Sequence, residues 1–193
     1  MQSSNHIAFK EWAVICAALA DGRQTLILRK GGIQEGRGGF QVEHREFWLF
    51  PTYLHQDEEG LIEESRPLLE RTRNERPPEE MVRIGLYAVV EDPLEVADLE
   101  DAFALAGHHI WSSRTVEMRF HYRRPGLHVL PVRVYRMPQP FEIPNSAYFA
   151  GCRSWVELPM DLPTAGAVPV LDDEEFARQL AAIREAVSPR RLA

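Results

Sequence analysis

The sequence predicts an α+β fold: a largely antiparallel sheet of two hairpins plus central strands, with about three helices packed against it. Three observations carry this. Side chains alternate with a period of two at Glu43–Phe50 and Thr115–Tyr122, as in half-buried strands. Turn dipeptides, Asp21-Gly22 and Pro125-Gly126, separate apolar runs. Helical spacing is confined to stretches beginning near Asp57, Asp98 and Asp172. The chain of 193 residues fits a single domain, with residues 159–171 as a linker to a docked C-terminal helix.

Taken in order, Ala13–Leu19 and Gln24–Leu28 read as two strands around Asp21-Gly22, a hairpin that opens the sheet. Paired strand ends lie close, so Lys10 and Lys30, the only lysines, would converge on one rim. Glu43–Phe50 is a strand that Pro51 ends, with His44 and Glu46 on one face. Between Asp57 and Glu80, helical spacing links Leu61, Ser65, Leu68 and Thr72, and Pro67 demands either a fresh cap at Ser65 or a kink. Val82–Val90 has little polar content and suits a central strand. Asp98 caps a short helix that Gly107 stops. Thr115–Tyr122 and Leu127–Tyr135 form a second hairpin, rich in arginine: Arg114, Arg119, Arg123, Arg124, Arg133 and Arg136. Gly151–Leu158 reads as a last edge strand. Asp172 and Glu175 start a final helix with Phe176, Leu180, Ile183 and Val187 as its buried stripe.

Composition narrows the function. A net charge of −7 argues against a protein that coats nucleic acid non-specifically, but leaves room for a local basic groove. Cys16 and Cys152 form no disulfide framework and no paired zinc site. Cys152 lacks a local histidine to activate it, which favours a structural thiol. A polar N-terminus and the lack of a bilayer-length apolar run point to a cytoplasmic protein with reduced thiols, away from membranes.

The functional signal concentrates between Arg29 and Gln56. Five of the twelve glycines, Gly31, Gly32, Gly36, Gly38 and Gly39, lie together there, and their backbone N–H groups suit an anion. Arg29, Lys30 and Arg37 add positive charge, with Lys10, Arg45, Arg119 and Arg123 as further phosphate-binding candidates. The spacing is neither a Walker loop nor a dinucleotide fingerprint, and a plain surface loop is the alternative. Glu46, with His44 or His55, offers a general base or the ligands of a divalent metal ion. Two readings follow: hydrolysis or binding of a phosphate-bearing ligand, a nucleotide or single-stranded nucleic acid; or a non-catalytic module for nucleic acid or a protein's acidic segment. A third reading leaves these residues purely architectural. Glu43-His44-Arg45 and Glu117-Met118-Arg119 hold arginine where a two-carboxylate nuclease uses lysine.

Four motifs, Ala8–Val14, Arg29–Ile33, Val42–Thr52 with His55-Gln56, and Gly151–Trp155, resemble the bacterial family known as domain of unknown function 1802. The resemblance implies a shared site and names no reaction. Trp48-Leu49-Phe50-Pro51 before a helix is also similar in layout to the start of Nudix hydrolases, but Leu61–Glu75 lacks the Arg-Glu and Glu-Glu pairs of the Nudix box.

Overall fold

A computed structural model describes residues 1–30, 42–151 and 153–187. The chain is α+β, built on a mostly antiparallel sheet. Its first strand, β1 (Ser4–Trp12), runs directly into helix α1 (Ala13–Ala20). Strands β2 (Leu26–Arg29) and β3 (Glu46–Thr52) follow, then helix α2 (Arg66–Asn74). Next come β4 (Met81–Val90), β5 (Leu94–Val96), α3 (Leu99–Ala104) and α4 (Ser113–His121). The long β6 (Leu127–Pro144), β7 (Trp155–Pro163), β8 (Val168–Pro169) and α5 (Asp173–Ala186) complete the chain. The strand order is β2-β6-β4-β3-β1-β7, with β5 and β8 also paired to β6. Among the described residues only β1 and β3 pair in parallel.

The central strands are buried on both faces. Along β3, Phe47 and Leu49 enter one apolar cluster while Trp48 and Phe50 enter the other, as the two-residue period requires. Each of helices α1 to α5 lends side chains to the first cluster, among them Val14, Leu69, Ala102, Phe120 and Ile183. The second cluster is closed by the far half of β6, by β7 and by Phe149. Trp48, fully buried, donates its indole N–H to the Asn5 carbonyl at 2.9 Å.

Two expected hairpins do not form. Ala13–Ala20 is a helix: a run of alanine and aliphatic residues buried nearly all round has no face to leave polar, so it shows no helical periodicity. Asp21-Gly22 is that helix's stop. Gly22 sits at φ 67°, its N–H bonds the Leu19 carbonyl (3.2 Å), and Arg23 N–H bonds the Ala18 carbonyl (2.9 Å), a Schellman ending. Thr115–Tyr122 is also helical. Ser112 caps α4 by accepting from Thr115 N–H (3.3 Å), and Thr115, Val116 and Phe120 face the core. The arginine hairpin therefore resolves into a helix, a turn and a strand.

Elsewhere several expectations hold and others shift. β4 is central, α3 and α5 begin at Asp98 and Asp172, and β7 is an edge. A fresh helix starts after Ser65 with Pro67 in its first turn. Pro51 does not end β3, because parallel pairing with β1 carries it to Thr52. Within the stretch expected as a linker, residues 159–163 extend β7 and Val168–Pro169 form β8. No helix among the described residues is long and apolar enough to cross a membrane.

Candidate functional site: a buried carboxylate between two arginines

Glu11 ends β1 just before an apolar helix and is only 3% exposed. One of its oxygens, Oε1, accepts the Trp12 N–H at 2.8 Å. The other, Oε2, has no hydrogen-bond partner among the described residues. Its nearest ion partner is Arg29, with Nη1 at 4.0 Å, beyond hydrogen-bond length. Arg29, at the end of β2, lies over the Phe9 ring (4.3 Å to the centroid) and donates Nη2 to the Lys10 carbonyl. Its Nε–H is buried and unpartnered among the described residues. A fifth of the Arg29 side chain reaches solvent, against 2% for Glu11.

Arg119 projects from α4 into the same region. Its guanidinium stacks 3.7 Å above the Trp111 ring, and Nη1 approaches the Leu28 carbonyl at 3.4 Å. Trp111 in turn tilts against Trp12, 4.8 Å between ring centroids. Burial lowers Arg119 to about 10, with Glu11 pulling it up and Arg29 pushing it down, so these three charges share one field. One carboxylate is set against two guanidinium charges in that field, which leaves a surplus positive charge in a partly desolvated place. His109 adds a neutral imidazole nearby. Its Nδ1 accepts the Trp111 N–H at 3.2 Å, so the proton resides on Nε2, which is buried with no partner among the described residues. Burial, then His108, then Arg119 lower it to about 4. Burial and the nearby Glu11 push the Cys16 thiol up, so it is inert as a nucleophile.

The candidates from sequence scatter. The ammonium groups of Lys10 and Lys30 go to different partners. Lys10 donates to the Phe149 and Gly151 carbonyls, each at 2.7 Å. Lys30 donates to Phe120 O (3.0 Å), Arg124 O and Gly126 O, and so closes the C-terminal end of α4; burial lowers its pKa. Glu46 and His44 point to opposite sides of the sheet. Glu46 accepts from Tyr87 OH (3.0 Å) and Gln2 N–H (2.6 Å), while His44 packs edge-on against Trp155 at 5.2 Å. The reason is local: β3 begins only at Glu46, so the alternation does not reach back to His44. His55 is exposed in a turn at φ 62°. Arg45 and Arg123 are exposed, and Arg123 lies against Tyr122. Gly31, Gly32 and Arg37 lie outside the described residues, as does Cys152. Among the described residues, no three His, Cys, Asp or Glu side chains are grouped to hold a metal ion.

Arg29 and Arg119 are thus the two candidates that the fold brings together. Glu11, Trp12, His109 and Trp111 were not singled out as site residues. One signal was available: Lys10-Glu11-Trp12 abuts a run without a polar residue, so the Glu11 side chain has to be carried into the protein beside a cation.

Residues 8–182 match the family described as domain of unknown function (DUF1802), and the chain belongs to that family. Among solved structures it is similar to the ASCH protein from Zymomonas mobilis, at 14% identity over 91% of this chain and 93% of that one, with a TM-score of 0.44. Two point variants of the same Zymomonas mobilis protein match alike, at 13% and 15% identity, over 94% and 91% of this chain and 98% and 96% of theirs, each with a TM-score of 0.44. A likeness this faint says nothing of ligand or activity. No curated protein matches.

Proposed function

We propose that the chain binds a phosphate-bearing ligand, a nucleotide or single-stranded nucleic acid, at the Glu11–Arg29–Arg119 cluster. The observation that supports this is the charge imbalance: the buried Glu11 carboxylate lies 4.0 Å from Arg29 and acts electrostatically on Arg119, and Arg29 keeps an N–H unpartnered among the described residues and a solvent-facing edge. Guanidinium forks match phosphate oxygens in shape and charge, and one phosphodiester would neutralise the surplus. Gly31, Gly32 and Arg37, which follow Lys30 in sequence, remain phosphate-binding candidates for their N–H groups and charge on sequence grounds alone. Binding is favoured over hydrolysis because Glu46 is taken up by Tyr87 while His44 packs against Trp155.

The test is equilibrium binding of a fluorescein-labelled single-stranded oligonucleotide, with unlabelled nucleotides as competitors. Arg119→Met and Arg29→Met each weaken binding at least about tenfold, whereas Arg123→Ala stays within about twofold of the parent. Parent-like binding by both methionine variants overturns the proposal.

A further inference from the structure

We propose that the ligand carries a hydroxyl beside its phosphate that donates to Glu11, which makes it a ribonucleotide unit rather than a deoxyribonucleotide. This rests on the phosphate reading above. The Glu11 carboxylate has one oxygen engaged by Trp12 N–H and the other without a donor among the described residues. Beside it, Arg29 has one nitrogen on the Lys10 carbonyl and its Nε–H without an acceptor. An open acceptor and an open donor therefore belong to neighbouring side chains, which approach through Arg29 Nη1 and Glu11 Oε2 at 4.0 Å, too long for a hydrogen bond.

Phosphate alone answers half of this. Its oxygens accept from Arg29 and Arg119 but repel the Glu11 oxygen. A hydroxyl answers the rest, since it donates to Oε2 while its own oxygen accepts from the guanidinium. Ribose holds such a hydroxyl, the 2′-OH, next to a 3′-phosphate, and deoxyribose does not. A buried polar group left without its partner penalises the ligand that lacks the matching group.

The experiment compares three single-stranded oligonucleotides of one sequence, all-ribo, 2′-deoxy and 2′-fluoro, with ribo- and deoxyribonucleoside 3′-monophosphates as competitors. The 2′-fluoro chain keeps the ribose pucker but cannot donate. The all-ribo chain binds at least about tenfold tighter than both others, and Glu11→Met brings the three within about twofold. If the ribonucleoside monophosphate shows the same preference, free nucleotides are ligands; if only the polymer does, RNA is. Both outcomes support the assignment of the hydroxyl. Equal binding of ribo and deoxy chains, lost in Arg119→Met, overturns this inference and leaves the phosphate site standing. Failure of every probe to bind overturns both. A 2′-fluoro chain as tight as the all-ribo chain assigns the preference to sugar pucker and overturns the contact to Glu11. Should Glu11→Met not fold, the ligand series in the parent protein decides alone.

Discussion

Glu46 and Glu11 make an instructive pair. Both are glutamates at the end of a strand, Glu46 opening β3 and Glu11 near the close of β1. Around Glu46 every group has an answer: Tyr87 OH donates to its carboxylate, Asn5 Nδ2 donates to the Tyr87 oxygen at 3.1 Å and to the Glu46 carbonyl at 2.9 Å. Around Glu11, atoms of three side chains, Glu11, Arg29 and His109, lack partners among the described residues. A closed polar network makes architecture. An open one, buried at a cost, needs something else to complete it.

The widest separation between the two comes from deleting each carboxylate. Glu11→Leu leaves Arg29 and Arg119 facing each other in a desolvated place, and the expected loss is about 3–5 kcal/mol in chemical denaturation. Glu46→Gln keeps an acceptor for Tyr87, and its expected loss is about 1 kcal/mol. Similar losses for both would erase the distinction.

Acid sharpens it next. The His109 imidazole titrates near 6.5 when unfolded and about 4 when folded. The unfolded chain therefore takes up its proton first as pH falls. The contribution is whole above pH 6.5 and shrinks toward pH 4, by about 3 kcal/mol in all. In His109→Asn, whose amide oxygen replaces Nδ1 as acceptor for Trp111 N–H, that part of the acid slope disappears. A slope unchanged in the variant would place the proton uptake elsewhere.

On the closed side, Tyr87→Phe removes one donor to Glu46 and leaves Asn5 one bond short, for about 1 kcal/mol. Burial and the Glu46 contact already hold the Tyr87 phenol protonated to very high pH, so its ultraviolet titration should be absent below the alkaline unfolding of the protein. The smallest effect belongs to Arg45→Ala and Arg123→Ala, exposed cations outside both networks, within about 0.5 kcal/mol of the parent in stability.

Much of the frame was legible because it follows local rules. Asp98 and Asp172 each cap a helix through the side chain, with Oδ1 accepting Glu100 N–H and Glu175 N–H at 2.8 Å. β4 declares itself by its lack of polar residues. α1 was hidden by its own burial, since a helix surrounded by core shows no polar stripe, and Asp21-Gly22 serves a Schellman ending as readily as a hairpin. α4 was hidden by coincidence: its residues alternate at a period of two, yet the buried set of Thr115, Val116 and Phe120 lies on one helical face. At the site, Arg29 and Arg119 were legible as cations. Glu11 and His109 were not, because a missing partner is a property of three-dimensional neighbours.

The pairing of β1 has a kinetic consequence. On one side Ala8 lies opposite Trp48 in parallel register; on the other Phe9 lies opposite Trp155. Both ladders close large loops, and pairings of such high contact order form slowly, on the order of milliseconds to seconds. The strand that carries Glu11 is expected to lock in after β4 and β6 have met, so a nascent or partly refolded chain would hold a finished sheet centre while the corner around Glu11 is still open.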